Sequence, residues 1–166
     1  MLTKNFYSYM RYEFQSTAST FKATDGTTHE DVSFKVSDPP FRAMKTWANT
    51  ASSYGVSFGT GTTPATASDY CLESILGTTQ ISASVPSTVS YSRVDTYEEY
   101  SVTFGVTNKT ADAITISEVG LTIYCSNSPF AYVLVDRTVL DTPITIPAGQ
   151  SKQITYTIRF NYGDAV

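Results

Sequence analysis

The residue types that could support catalysis are few, and their spacing completes no catalytic motif. His29 is the only histidine in the chain, and its polar surroundings predict a solvated loop histidine. A phosphate-binding loop needs Lys and Ser or Thr after its last glycine, but Gly59-Thr-Gly61 is followed by Thr62-Thr-Pro64. We predict a flexible or interface-forming loop there. No Gly-x-Ser-x-Gly motif occurs either, so we expect no catalytic residue and no enzymatic activity.

The carboxylates also lack the arrangement that acid–base chemistry requires. Glu98 and Glu99 are adjacent in a stretch with strand character. Because neighbouring strand residues point to opposite faces, these two carboxylates cannot act together on a glycoside. The pair Asp136-Arg137 favours ion pairs within a sheet or at a subunit contact. Other aspartates near predicted strand ends show no calcium-loop spacing and are expected to be structural or solvated, namely Asp95, Asp112 and Asp141.

The two cysteines, Cys71 and Cys125, do not form a Cys-x-x-Cys pair, and one histidine cannot complete a zinc site. We therefore predict two free thiols, no metal and no cofactor. Asn108-Lys-Thr110 matches the glycosylation sequon. We interpret it as the turn of a β-hairpin, because Asn is a favoured turn residue.

Composition narrows the function classes. Charged residues make up 16 % of the chain, against a usual share of about 25 %, and the net charge is −4. An acidic balance argues against nucleic-acid binding, which needs a basic surface. No apolar run is long enough to span a membrane. The first residues lack the apolar stretch of a signal peptide, so we expect the protein to accumulate in the cytosol where it is made.

The clearest structural pattern lies between Ser101 and Phe160. Apolar and polar residues alternate there with the period of two that is typical of strands. Turn residues separate the strands, at Asn108–Asp112 and at Pro147–Gly149. The sequence predicts an all-β fold, an antiparallel β-sandwich of Ig-like or jelly-roll-like type. Its clearest predicted strands are Tyr97–Thr107, Val119–Tyr124, Ala131–Leu140 and Lys152–Phe160.

The domain organisation follows from the contrast between the two parts of the chain. We assign residues 54–166 to the sandwich and residues 1–53 to an irregular or short-helical N-terminal arm that packs on or beside it. The aromatic cluster from Phe6 to Phe14 has helical spacing, although the alternation of Tyr7, Tyr9 and Arg11 also allows a strand. Further elements are predicted as a strand at Asp31–Ser37 and a helical turn or two at Arg42–Ala51. The aromatic cluster could serve either as a satellite core or as an arm that docks on a neighbouring subunit.

Three segments, in order, resemble small virion proteins of tailed bacteriophages. The first is Val56–Glu73, which contains the stretch Phe-Gly-Thr-Gly-Thr-Thr-Pro-Ala-Thr and then Asp-Tyr-Cys-Leu. The second is Ile114–Leu121, and the third is Val135–Gln150, followed by an alternating strand. The opening Met1-Leu-Thr-Lys-Asn-Phe-Tyr is also similar. Together the similar parts cover about half of the chain, mainly residues 55 to 160.

The resemblance implies a structural component of the virion, made in the bacterial host cytoplasm and assembled by docking in a symmetric ring or lattice. A tail, neck or tail-adaptor position is favoured, and capsid decoration or a head fibre is the alternative. The expected partners are other virion proteins and further copies of the chain, without direct contact with nucleic acid or membrane. A carbohydrate- or receptor-binding module, using Trp47 and exposed tyrosines, is a second hypothesis. The candidate subunit-contact residues are Phe6, Tyr7, Tyr9, Tyr12, Phe14, Thr60, Thr62, Pro64 and Tyr70.

Overall fold

The chain folds mainly into β-strands. The computed structural model describes residues 1–15, 19–32, 36–38, 40–86, 88–94, 96–126 and 130–161, without the side chains of 12–15, 31, 32, 36–38, 40 and 41. The predicted all-β class with a short helix near the N-terminus is confirmed. The described elements are α1 (Lys4–Gln15), β1 (Ser19–Lys22), β2 (Thr28–Val32), β3 (Val36–Asp38), α2 (Pro40–Ala43), β4 (Gly55–Gly59), β5 (Ile81–Ala83), β6 (Ser90–Val94), β7 (Tyr97–Asn108), β8 (Ile114–Cys125), β9 (Ala131–Ile146) and β10 (Ser151–Asn161).

Two four-stranded antiparallel sheets carry the core, and β1 and β2 form a separate hairpin. In the β7 sheet, β10 pairs with one side of β7, and β5 and β6 pair with the other side. In the β8 sheet, β3 and β4 pair with one side of β8, and β9 pairs with the other. Apolar side chains of the two sheets are in contact. Phe58 on β4 contacts Phe104 on β7, with ring centroids 5.6 Å apart. The finer description as an Ig-like or jelly-roll-like sandwich stays a prediction.

The alternation predicted for β7 and β10 is confirmed. Val102, Phe104 and Val106 on β7 are buried, and so are their neighbours Ile154 and Tyr156 on β10. The two strands pair in one continuous register from Ser151↔Thr107 to Asn161↔Tyr97. The intervening residues of β10 face solvent, so only one face of this sheet contributes to the core.

Strand β8 is buried on both faces. Val119, Leu121 and Ile123 point inward as predicted, but Glu118 and Gly120, which alternate with them along the strand, are buried as well. The outer face is covered because the chain after β4 folds across it. A Cβ atom on Gly120 would lie 2.5 Å from Leu72 Cδ1 in that segment.

The turn after β7 is not the hairpin that we predicted. Strand β7 belongs to one sheet and β8 to the other, so residues 109–113 cross between sheets. The buried Asn108 side chain holds this crossover, since its amide donates to Asp112 O at 2.7 Å and to Ile146 O at 2.9 Å. Its backbone amide also donates to Gln150 O beside the Pro147–Gly149 turn. A single Asn thus joins two neighbouring crossovers.

The N-terminal region packs into the same core. Phe6 and Tyr9 on α1 are buried, and they join Phe21 of β1 and Met44 in one apolar cluster with residues of both sheets. The predicted helix at Arg42–Ala51 instead begins earlier, as the short α2, and ends in turns. Parts of the predicted strand Asp31–Ser37 lie outside the described residues.

The only histidine lies on strand β2 rather than in a loop, so that prediction is wrong. The ring of His29 packs against Phe21, with centroids 4.9 Å apart. The hairpin fixes this placement, because Phe21 and His29 are register partners on β1 and β2.

Candidate functional site

A cluster of ion pairs lies under the loop that joins β4 to β5. Its centre is Arg137 on β9, whose side chain is 5 % exposed. The guanidinium contacts Glu118 Oε2 at 2.8 Å through Nε, Asp69 Oδ2 at 2.7 Å through Nη1, and Glu73 Oε2 at 3.6 Å through Nη2. The prediction that Arg137 forms ion pairs within the sheet is confirmed by its contact with Glu118 on the neighbouring strand β8. We refer to Asp69, Glu73, Glu118 and Arg137 as the Arg137 cluster.

Glu118 is fully buried, yet both oxygens of its carboxylate accept hydrogen bonds from protein groups. Oε1 accepts hydrogen bonds from the amides of Gly61 at 3.1 Å and Ser74 at 2.7 Å. Oε2 accepts one from the Glu73 amide at 3.1 Å, besides the bond from Arg137. A buried charge is tolerated when it is paired and hydrogen-bonded in this way. Three of its four bonds come from residues 60–74, so Glu118 sets the course of that loop.

The glycines of the Gly59-Thr-Gly61 motif allow the backbone to approach this carboxylate. A Cβ atom on Gly59 would lie 2.5 Å from Glu118 Oε1 and 2.6 Å from Ser74 O. A Cβ atom on Gly61 would lie 2.6 Å from the same oxygen. All three distances are too short for the Cβ atom of any other residue. The motif therefore serves close packing, a role that the sequence analysis missed although a Glu within an apolar strand was its signal.

The electrostatics keep Asp69, Glu73 and Arg137 of the cluster charged near neutral pH. Burial raises the pKa of Asp69, but hydrogen bonds from the Thr66 amide and from Arg137 outweigh it and leave that pKa below its ordinary value. Hydrogen bonds from the amide and hydroxyl of Thr63 lower the pKa of Glu73. Burial lowers the pKa of Arg137, while the hydrogen bonds to Asp69 and Glu118 raise it further, so it ends above its ordinary value. Hydrogen bonding within the cluster thus favours the charged forms of Asp69, Glu73 and Arg137.

An open cleft of about 240 Å³ lies between this loop and β9, and Asp69, Cys71 and Arg137 are among its lining residues. Burial raises the pKa of the Cys71 thiol, which keeps it protonated and a poor nucleophile. Cys125 is buried, and Cys71 and Cys125 are not joined in a disulfide, as predicted. Within the described ranges, no group of three or more His, Cys, Asp and Glu side chains is placed to hold a metal ion.

The predicted contact residues of the loop lie mostly at the surface. Thr60, Thr62 and Pro64 are exposed, while Tyr70 is half-buried beneath Lys22, whose Nζ lies 3.8 Å from its ring centroid. The ion pairs of the Arg137 cluster lie below this surface and stabilise the loop.

The predicted contact residues of the aromatic cluster divide into two groups. Tyr7 is 60 % exposed, but Phe6 and Tyr9 are buried in the chain's own core and offer little surface to a neighbour. The side chains of Tyr12 and Phe14 lie outside those that the structure describes. Helix α1 starts next to the loop, since the Lys4 amide donates to Ala67 O at 2.7 Å. The first turn of α1 is therefore in contact with the loop that follows β4.

The N-terminal segment also pairs with the outer edge of β9 around residues 134–137. Leu2 forms an antiparallel bridge with Asp136, the Thr3 amide donates to Val135 O at 3.0 Å, and the Arg137 amide donates to Met1 O at 3.0 Å. The Thr3 hydroxyl donates to Leu134 O at 2.7 Å. The strand that carries Arg137 is therefore held from both sides.

Trp47 does not form an exposed aromatic platform. It is partly buried against the core, and its indole Nε1 is buried without a hydrogen-bond partner. This placement removes the residue on which the carbohydrate hypothesis mainly depended. Tyr91 on β6 is more exposed, at 53 %, and its hydroxyl donates to Glu98 Oε1 at 3.1 Å.

Comparisons with protein-family models, with curated proteins and with solved structures gave no match. Among the described residues, no helix is both long and apolar enough to cross a membrane.

Proposed function

We propose that the chain is a structural component of a tailed-phage virion that assembles by protein–protein docking. One observation carries the proposal. The three segments that resemble phage virion proteins are distant in sequence, yet they converge on the Arg137 cluster. Val56–Glu73 supplies Asp69 and Glu73, Ile114–Leu121 supplies Glu118, and Val135–Gln150 supplies Arg137.

The convergence gives the resemblance a physical meaning. Glu73 and Glu118 accept hydrogen bonds from backbone amides of the loop 60–74, and these bonds restrain the loop that presents the exposed Thr60, Thr62 and Pro64. A loop that is ordered before binding loses less conformational entropy when it docks. The cluster therefore supports a preformed contact surface, and the proposal includes no catalytic step.

We favour a tail, neck or tail-adaptor position, with capsid decoration or a head fibre as the alternative. The partners would be other virion proteins and further copies of this chain. A repeated position in a particle suits a symmetric assembly.

Deletion of the gene from the phage that encodes it tests this proposal. Particles are examined by electron microscopy and mass spectrometry, and the gene is supplied in trans. We expect the chain in purified wild-type particles and defective assembly without it. Intact, infectious particles after deletion, or wild-type particles that lack the chain, would contradict the proposal.

Two variants locate the contact surface. Thr62→Arg enlarges an exposed loop residue, and Ser92→Arg makes the same change at an exposed residue of β6. We expect Thr62→Arg to lower incorporation into particles at least tenfold while Ser92→Arg is incorporated normally. Equal incorporation of both variants would exclude the loop as the contact.

Carbohydrate binding is a second candidate function, now supported by Tyr91 rather than Trp47. The exposed ring of Tyr91 lies beside Glu98 and Arg93, which offers an aromatic face next to polar groups. Glycan-array binding that Tyr91→Ala abolishes would favour this candidate. Binding that is unchanged in Tyr91→Ala, or no binding by the wild type, would remove it.

A further inference from the structure

We propose that the outer edge of β10 pairs with β10 of a second copy of this chain, so that the β7 sheets of two copies form one continuous sheet. The inference does not depend on the virion assignment, because it concerns the purified chain alone. It rests on the direction of the β10 backbone groups, on their lack of partners, and on the self-complementary order of the side chains.

The hydrogen bonds of Gly105 reveal which way the β10 backbone points. On the side of β7 away from β10, Gly105 N donates to Ser84 Oγ at 2.7 Å, and Gly105 O accepts from Ser84 N at 3.0 Å. In an antiparallel pair, opposite residues either bond to each other or both point away. Gln153 is opposite Gly105, so its N–H and C=O point away from β7.

The same orientation recurs at every second residue of β10, because the register with β7 is unbroken. No hydrogen bond from another part of the described chain reaches these outward groups. A long, unbroken edge of this kind is a template for a further strand. The residues whose backbone points outward are Ser151, Gln153, Thr155, Thr157, Arg159 and Asn161.

Among the described residues, the centre of this edge lacks the features by which proteins usually prevent edge pairing. Strand β10 has 11 residues, no proline and no shift in its register with β7. Charges, prolines, bulges and covering segments are the usual protections. Lys152 and Arg159 stand near its ends, which leaves the centre from Gln153 to Thr157 uncharged.

A second copy fits this edge without charge conflict. A two-fold axis at Thr155 places Thr155 opposite itself, Gln153 opposite Thr157, and Ser151 opposite Arg159. No basic residue then faces another, and like charges opposite each other are what destabilise strand pairs. In this register the outward-pointing residues from 151 to 159 form five bonded pairs. Each pair has two hydrogen bonds, which gives about ten new backbone hydrogen bonds.

The hydroxyl groups on the exposed face continue across the proposed contact. Thr155 already shares a hydrogen bond with Thr103 on β7, with the oxygens 2.9 Å apart. A hydroxyl can donate and accept at once, so Thr155 can bond to Thr103 and to Thr155 of the second copy. The contact is isologous, which limits it to a dimer unless another surface also docks.

Sedimentation equilibrium with a matched pair of variants tests the proposal. Thr155→Lys places two positive charges opposite each other at the two-fold axis, and Thr103→Lys adds the same charge one strand further from it. Both side chains are exposed, so both variants should fold, which thermal denaturation checks. We expect a wild-type species of twice the 18.1 kDa chain mass, an unchanged Thr103→Lys dimer, and a dissociation constant at least tenfold higher for Thr155→Lys.

Four results would overturn the proposal. A wild-type protein that stays monomeric at every concentration has no β10 dimer. A dimer of equal strength in Thr155→Lys places the contact elsewhere. Equal weakening by both variants indicates docking through the sheet face instead of its edge. A larger complex only in the presence of another protein would assign the edge to a strand of that protein.

Discussion

The outer edges of β9 and β10 differ in the hydrogen bonds that they form with the rest of the described chain. The β9 edge is bonded to Leu2, Thr3 and the Met1 carbonyl, and the start of the strand accepts a bond from the Thr24 amide at 2.9 Å. Its pairing with β8 shifts register twice. The register of β10 with β7 is unbroken, and no described segment forms a backbone hydrogen bond to its outer edge. The chain thus bonds to the β9 edge at its start and around residues 134–137, whereas no described segment bonds to the outer backbone groups of β10. We refer to the two as the closed edge and the open edge.

The difference extends to the charges near each edge. The closed edge carries Arg137 in a buried network, where loss of one partner would leave the others without compensation. The open edge carries Arg159, which pairs with Glu99 at 2.7 Å while its side chain is 51 % exposed. Buried pairs fix conformation strongly, and exposed pairs contribute little because water and salt screen them. Stability should therefore depend on the first edge, and association on the second.

The largest expected effect comes from Arg137→Met. Removal of the cation leaves Glu118 buried without its counterion, and we expect a loss of about 3–5 kcal/mol in the free energy of unfolding. Urea denaturation at pH 7 measures it. Arg159→Met is the matched control at the open edge and should cost much less. Similar losses for the two variants would contradict the distinction between the edges.

A smaller loss is expected for Gly59→Ala. The added Cβ would overlap Ser74 O, a backbone atom that cannot rotate away, and we expect a cost of about 1–3 kcal/mol. Gly105→Ala is the control in the β7 sheet, since its Cβ would meet only the side chains of Ser84 and Gln153 at 3.2 Å or more. Thermal unfolding of the two variants compares them. A Gly59→Ala protein as stable as Gly105→Ala would show that the loop is not packed as described.

Thr3→Val tests the closure of the β9 edge by a single hydroxyl. The Thr3 hydroxyl is buried and donates to Leu134 O, so we expect its loss to cost about 1 kcal/mol. Thr155→Val removes an exposed hydroxyl at the open edge and should change the stability of the monomer by less than about 0.5 kcal/mol. Chemical denaturation in dilute solution, where the chain is monomeric, gives both values. A larger loss for Thr155→Val would reverse the comparison.

The smallest effect concerns acid. Asp69 and Glu73 have pKa values below their ordinary ones in the folded chain. Their stabilisation is complete above the unfolded pKa values, about 4, and is lost as pH falls through the lower folded values. The urea concentration at the unfolding midpoint should therefore decrease as the pH is lowered below about 4. The decrease should be less steep in Asp69→Asn than in the wild type. An identical slope in both proteins would exclude Asp69 from the linkage.

The regular strands could be predicted from the sequence because they are governed by local alternation. The period of two identified β7 and β10 almost residue for residue. The same reasoning failed at Asn108, since a turn between sheets and a hairpin turn use the same residue types. Only the long-range bonds to Ile146 and Gln150 distinguish them.

The Arg137 cluster could be predicted only in part. The pair Asp136-Arg137 indicated ion pairing, but the partners of Arg137 lie 19 and 68 residues away in sequence. Local patterns carry no information about such distances. Buried Glu118 was overlooked because its neighbours are apolar, although a lone carboxylate in such a strand requires a partner.

Backbone amide exchange at two protein concentrations tests the central claim most directly. In dilute solution we expect the Arg137 amide, which is bonded to Met1 O, to be protected, and the amides of Gln153, Thr155 and Thr157 to exchange rapidly. At high concentration these three β10 amides should become protected, while the Arg137 amide changes little. Protection of the β10 amides already in the dilute monomer, or rapid exchange at the highest concentration, would contradict the account of a closed and an open edge.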